Sequence, residues 1–164
     1  MAFRTQEQVD AFENWARAQI DAMGRHAHTS GLAGAEAIGR MVWAVPHKVF
    51  LGKVWPKNER HASHWVIAGE SLPTDHIEAR LAASPREAAR HFALKWQMES
   101  TRLADLSGQD STPGGEIRSE VDWARIGETL ERQAELLYAF IERDDLWDAE
   151  KNAYDKLLPD SDAP

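Results

Sequence analysis

The chain has 164 residues, 43% hydrophobic and 28% charged, and 27 acids against 19 bases give a net charge of −8; that is the size of one domain with a real core, and its acidity argues against nucleic-acid partners. The absence of cysteine excludes disulfides, thiol catalysis and thiolate metal sites. Apolar runs fall far short of the ~20 residues of a membrane span, and residues 1–7 lack the apolar core of a signal peptide, so a cytoplasmic protein without membrane contact is expected.

Residues 5–23 are predicted as the first helix. Thr5 and Gln8 form a capping box, and Phe12, Trp15, Ala16, Gln19 and Met23 recur at helical spacing on one face. Residues 24–30 read as a break that holds His26 and His28. A shorter helix is favoured over residues 32–42, weakened by Gly34 and Gly39; the alternative at residues 42–45 is an edge strand ended by Pro46.

Residues 48–55, 62–68 and 76–81 alternate with period two and are read as a three-stranded antiparallel meander. The intervening residues carry the turn formers Asn58, Gly69, Pro73 and Asp75. Setting apolar beside apolar pairs Gly52 with Trp65, Phe50 with Ile67, and Ile67 with Ile77. One face then holds Phe50, Val54, Trp65, Ile67, Ile77, Ala79 and Leu81 as the expected core, with the Trp65 indole over Gly52. The other face sets Lys53, His64 and Arg80 in a cross-strand row, with Trp55, His76 and Glu78 nearby.

Ser84-Pro85-Arg86-Glu87 opens the next helix: Ser84 caps, Pro85 fits the first position, and Glu87 completes a capping box. Ala88, Phe92, Trp96, Glu99, Leu103 and Leu106 follow at helical spacing and should lie on the sheet's apolar face, with Glu99 at the edge of the stripe.

Trp65-Val66-Ile67-Ala68-Gly69, then Leu72-Pro73-Thr74-Asp75-His76-Ile77, then a capped helix with Phe92 and Trp96-Gln97, resembles a family of short bacterial proteins known only as a domain of unknown function. The resemblance covers residues 40–105 and excludes the C-terminal third. It implies a bacterial source and no particular reaction.

Residues 107–118, rich in Ser and Gly, read as a flexible linker after a core domain of residues 1–106. Trp123, Ile126, Leu130, Ala134, Leu137 and Ile141 then mark a helix, and a final helix is expected from Asp144 or Asp145 through Leu157, with residues 159 onward disordered. This C-terminal extension, residues 119–158, should pack on the same domain. The fold class is therefore α+β: a short antiparallel meander with helices on one face and a helical extension.

Neither a nucleotide-binding glycine loop nor a Gly-x-Ser-x-Gly elbow occurs. In the derived register His76 lies about four residues along the strand from His64, which at ~3.3 Å per residue is too far for one ion; no metal and no cofactor are expected. Asp75-His76 beside Thr74 resembles part of an acid–base pair, but neighbouring strand residues point to opposite faces, and a turn closed by side chains is the simpler reading. The expected role is binding without catalysis, the partner another protein, as for an inhibitor or immunity protein. The alternative is a small-anion-binding protein or enzyme. The candidate binding residues are Lys53, Trp55, His64, Asp75, His76, Glu78 and Arg80, and the C-terminal stripe is a candidate homodimer contact.

Overall fold

The computed structural model describes residues 3–32, 36–109 and 117–147. Helix α1 (Gln6–Thr29) begins where its caps direct: the Gln8 N–H donates to Thr5 Oγ1 at 3.2 Å, and the Gln8 side chain accepts the Arg4 N–H at 2.7 Å. It does not break at Gly24. Phe12, Ala16, Met23 and Ala27 continue one buried stripe through that position, and a Cβ on Gly24 would meet open space. His26 is thus helical, in the last turn.

Four strands follow rather than three: β1 (Ala37–Val45), β2 (Val49–Pro56), β3 (His64–Gly69) and β4 (Asp75–Glu78), antiparallel in that order. Residues 37–45 are strand, which overturns the helix favoured there. The physical reason is Met23 of α1. A Cβ on Gly39 would lie 2.6 Å from Met23 Cε, and one on Gly52 would lie 2.7 Å from Met23 Sδ. The glycine that weakens a helix reading is the point where α1 seats a methionine on the strands. The pairing of β1 with β2 shifts between Met41 and Trp43, a bulge at Val42.

The register of β2 on β3 differs from the expected one by a single residue. Gly52 pairs with Val66, Leu51 with Ile67 and Lys53 with Trp65; β4 is shifted by two residues on β3, so that Ile77 pairs with Trp65 and not with Ile67, which keeps the same face. A one-residue slip moves every side chain of β2 to the other face relative to β3. Phe50, Val54 and Val66 therefore pack on α1, whereas Leu51, Trp65, Ile67 and Ile77 pack on the later helices. Trp65 is 1% exposed, as expected, but it does not cover Gly52; its indole N–H donates to the Ala82 carbonyl at 3.0 Å. Helices cover both faces, not one, and the sheet is the middle of three layers. Strand β4 ends at Glu78, and Ala79–Leu81 forms a 3-10 turn that leaves Leu81 exposed rather than in the core.

Helix α2 (Pro85–Gln109) is capped as predicted, the Glu87 N–H donating to Ser84 Oγ at 3.2 Å. Ala88, Phe92, Trp96 and Leu103 are buried, and Glu99 is half-buried at the stripe's edge. Helix α3 (Ile117–Ile141) adds Ala134, Leu137 and Ile141 to the same core. Trp43 of β1 stacks on Trp147 with centroids 3.8 Å apart and donates to the Leu146 carbonyl at 2.8 Å. These contacts tie the C-terminal helices directly to the sheet. Helix takes both ends of the expected linker; its middle, residues 110–116, and the expected final helix and tail beyond residue 147 lie outside the described residues.

Candidate functional site

Strand β4 lies at the sheet edge and sends Asp75 and His76 toward different helices. His76 meets the last turn of α1, where its Nδ1 stands 2.9 Å from Nε2 of His26. His64 of β3 closes on the same ring edge-on, with centroids 5.8 Å apart. Its Nδ1 is buried and has no hydrogen-bond partner among the described residues. Asp75 meets α2. Its Oδ1 accepts the His76 N–H and the Lys95 ammonium, each at 2.8 Å, and its Oδ2 accepts the Trp96 indole N–H at 2.9 Å. One donor-type atom each from His26, Asp75 and His76 lie within 4.8 Å of one another.

The electrostatics disfavour protonation of both facing imidazoles. Burial lowers the His26 pKa more than the Asp75 carboxylate raises it, and Lys95 adds to the lowering. Burial also lowers the His76 pKa, helped by His26 and Lys95 and opposed by Asp75. In their neutral forms the two rings, 2.9 Å apart, can share one proton between the facing nitrogens. Asp75 is held from three directions, yet among the described residues Trp96 alone uses Oδ2, which leaves that oxygen a lone pair.

A family model described as a domain of unknown function (DUF4826) matches residues 8–147. The chain belongs to this family. The match takes in α1 and α3 as well as the sheet, so the resemblance extends well past residues 40–105 and includes most of the C-terminal third. No curated protein and no solved structure matches the chain. Among the described residues no helix is long and apolar enough to cross a membrane.

In this fold the expected row of Lys53, His64 and Arg80 does not form. Lys53 faces the α2–α3 layer, its Nζ 4.5 Å above the Trp65 ring, whereas His64 faces the α1 layer. Arg80 has left the sheet for the turn after β4, where it pairs with Glu78. Trp55 shares the Lys53 face and lies under the Arg60 guanidinium. Of the seven expected binding residues, His64, Asp75 and His76 come together, with Glu78 paired to His64 in the register. His64 and His76 stand closer than expected because β4 is shifted by two residues on β3. His76 pairs with Val66, only two residues from His64. Sequence reading missed His26, Lys95 and Trp96 as members of the site. The signal for His26 was present: it lies three residues after Met23, on the stripe that Ala27 continues.

Proposed function

We propose that the protein binds one divalent transition-metal ion of the zinc class through His26, His76 and Asp75. The observation that carries this reading is the 2.9 Å separation of His26 Nε2 and His76 Nδ1 beside a carboxylate. Two nitrogens bound to one tetrahedral or octahedral ion at ~2.0–2.1 Å stand roughly 2.9–3.4 Å apart. The pair therefore needs little opening for a metal to replace the shared proton. Neutral imidazole is the ligating form, so burial that disfavours protonation also reduces proton competition. Asp75 offers the remaining lone pair of Oδ2, and Trp96 and the strand N–H fix its orientation, as outer partners do around metal ligands. His64 borders the cluster as a further donor. Lys95 opposes an incoming cation, but its side chain is 47% exposed and can exchange its bonds to Asp75 and the His76 carbonyl for water.

Calorimetric titration of the metal-free chain with Zn2+ tests the proposal. One ion should bind, and His26→Ala or His76→Ala should each weaken it at least about tenfold, the effect of losing a ligand or its support. Lys95→Gln should tighten it. Absence of binding at millimolar Zn2+, or equal binding to His76→Ala, would leave a purely structural histidine pair.

A second reading, a non-catalytic protein partner, is favoured by the outer face of α2. Leu94 and Met98 are exposed there along a groove of about 480 Å³ with His91, Lys95, Glu99 and Arg102. Ile126 and Leu136 of α3 are also exposed, which supports the homodimer contact. Sedimentation that shows only monomer at high concentration would remove the dimer.

A further inference from the structure

The α2–α3 face of the sheet carries a second cluster, separate from the histidines. Arg40 of β1 pairs directly with Lys53 of β2, so two cations leave the same face side by side. Like charges directly opposite one another on paired strands destabilise the sheet. A third cation joins them: Arg60, in the 3-10 turn before β3, lies with its guanidinium 5.2 Å from the Trp55 ring centroid. Together with Val42 and Ser63 these residues line a cavity of about 220 Å³. Among the described residues no carboxylate lines it and no ion pair involves Arg40, Lys53 or Arg60. Lys53 and Arg60 are held instead over indole rings, Lys53 over Trp65 and Arg60 over Trp55. On a chain of net charge −8, three cations lining one cavity with no acid beside them among the described residues favour an anion from outside.

We infer that this cavity binds the phosphoryl group of a small phosphate monoester. Two guanidinium forks supply planar paired donors, Lys53 supplies a compact charge, and the Ser63 hydroxyl adds a neutral donor. A tetrahedral dianion accepts from several directions and balances most of three positive charges, which a single carboxylate does not. The volume is below the ~300 Å³ at which drug-sized sites begin, so the attached organic group is small. Trp55 and Val42 supply the apolar wall against which it rests. The site is independent of the metal reading, because Lys53 and His64 face opposite layers.

Titration of the full chain with inorganic phosphate and with glycerol 3-phosphate, at constant ionic strength set by chloride, tests the inference. Tryptophan fluorescence is the readout, since Trp55 and Trp65 contact the cations directly. Both probes should saturate, and Lys53→Gln and Arg60→Gln should each weaken binding roughly tenfold, as loss of a charged hydrogen bond does. Arg60 lies in a turn, so its variant should keep the parent's melting temperature and still lose affinity. His76→Ala should bind phosphate like the parent, which separates this outcome from that of the metal titration. Dimethyl phosphate, a singly charged diester, should bind more weakly; equal affinity would overturn the monoester assignment and point to a polynucleotide backbone. Equal responses to chloride and phosphate, or undiminished binding by Arg60→Gln, would overturn the site.

Discussion

His64 and Trp65 are neighbours on β3 and face different layers of the molecule. Around Trp65 the sheet is apolar, closed by α2 and α3, with the cationic cavity beside Lys53 at one end and Asp75 at the β4 edge. Around His64 the cover is a single helix, and histidines from three elements meet beneath its last turn. Both faces are buried at their centres: Val49, Phe50 and Leu51 are all 0% exposed, although they alternate between layers. Chemistry collects on each face where the helical cover runs out.

Emptying the centre of each face should produce the largest effects. Trp65→Ala should cost about 3–5 kcal/mol in urea unfolding, and Phe50→Ala on the α1 side should cost nearly as much. If Phe50→Ala cost under about 1 kcal/mol while Trp65→Ala cost the full amount, α1 would be a loosely held cover rather than the third layer of a cooperative fold.

Glycines report the same comparison at smaller scale. A Cβ at Gly52 would stand 2.7 Å from Met23 Sδ and 2.8 Å from the Arg40 carbonyl oxygen. The methionine can move, but the backbone carbonyl cannot move cheaply. Gly52→Ala should therefore destabilise by roughly 1–3 kcal/mol, the cost of overpacking. Gly24→Ala, on the open side of α1, should stabilise by about 0.5–1 kcal/mol through helix propensity. A neutral Gly52→Ala would show that Met23 does not seat on the sheet.

The same two faces explain what the sequence disclosed. Capping chemistry at Thr5 and Ser84 and the 3-4 stripes of the helices were legible because each depends on local spacing alone. The burial of Trp65 and Phe92 was legible too, since large aromatics in periodic segments rarely stay outside. The register of β2 was not. Alternation identifies a face only where the other face is wet, and residues 49–51 are apolar on both sides. Strand β1 was hidden by Gly39, whose meaning depends on Met23 from a different element. Half of the histidine site followed the same pattern: Asp75 and His76 could be named, but His26, Lys95 and Trp96 reach them only through tertiary packing.

Acidification should weaken the fold through the histidine pair on the α1 side. His26 and His76 have folded-state pKa values below the ordinary 6.5. As pH falls through ~6.5 the unfolded chain takes up protons first, so this contribution is complete above that value and is lost as pH drops toward the lowered folded values. The groups facing the pair are Asp75 on β4, Lys95 on α2 and His64 on β3; only Asp75 favours protonation. The metal-free protein should melt lower at about pH 5.5 than at about pH 7.5, and His76→Gln should flatten that difference. An unchanged profile in the variant would assign the acid sensitivity to carboxylates elsewhere.

The smallest expected effect separates the two faces most directly. Arg80 is a cation from the same stretch as Lys53 and His64, but it stands outside the sheet, its side chain 78% exposed and, among the described residues, paired with its near neighbour Glu78 alone. Exposed pairs of this kind contribute little, because water screens both charges and two long side chains must be ordered. Arg80→Gln should change stability by no more than about 0.5 kcal/mol. It should also leave phosphate binding unchanged, whereas Lys53→Gln weakens it. The contrast follows from position alone, since the two variants remove the same unit of charge from the same acidic chain. If Arg80→Gln weakened phosphate binding as much as Lys53→Gln, the two cations would act on one face after all. The division of the sheet into a cationic layer and a histidine layer would then fail.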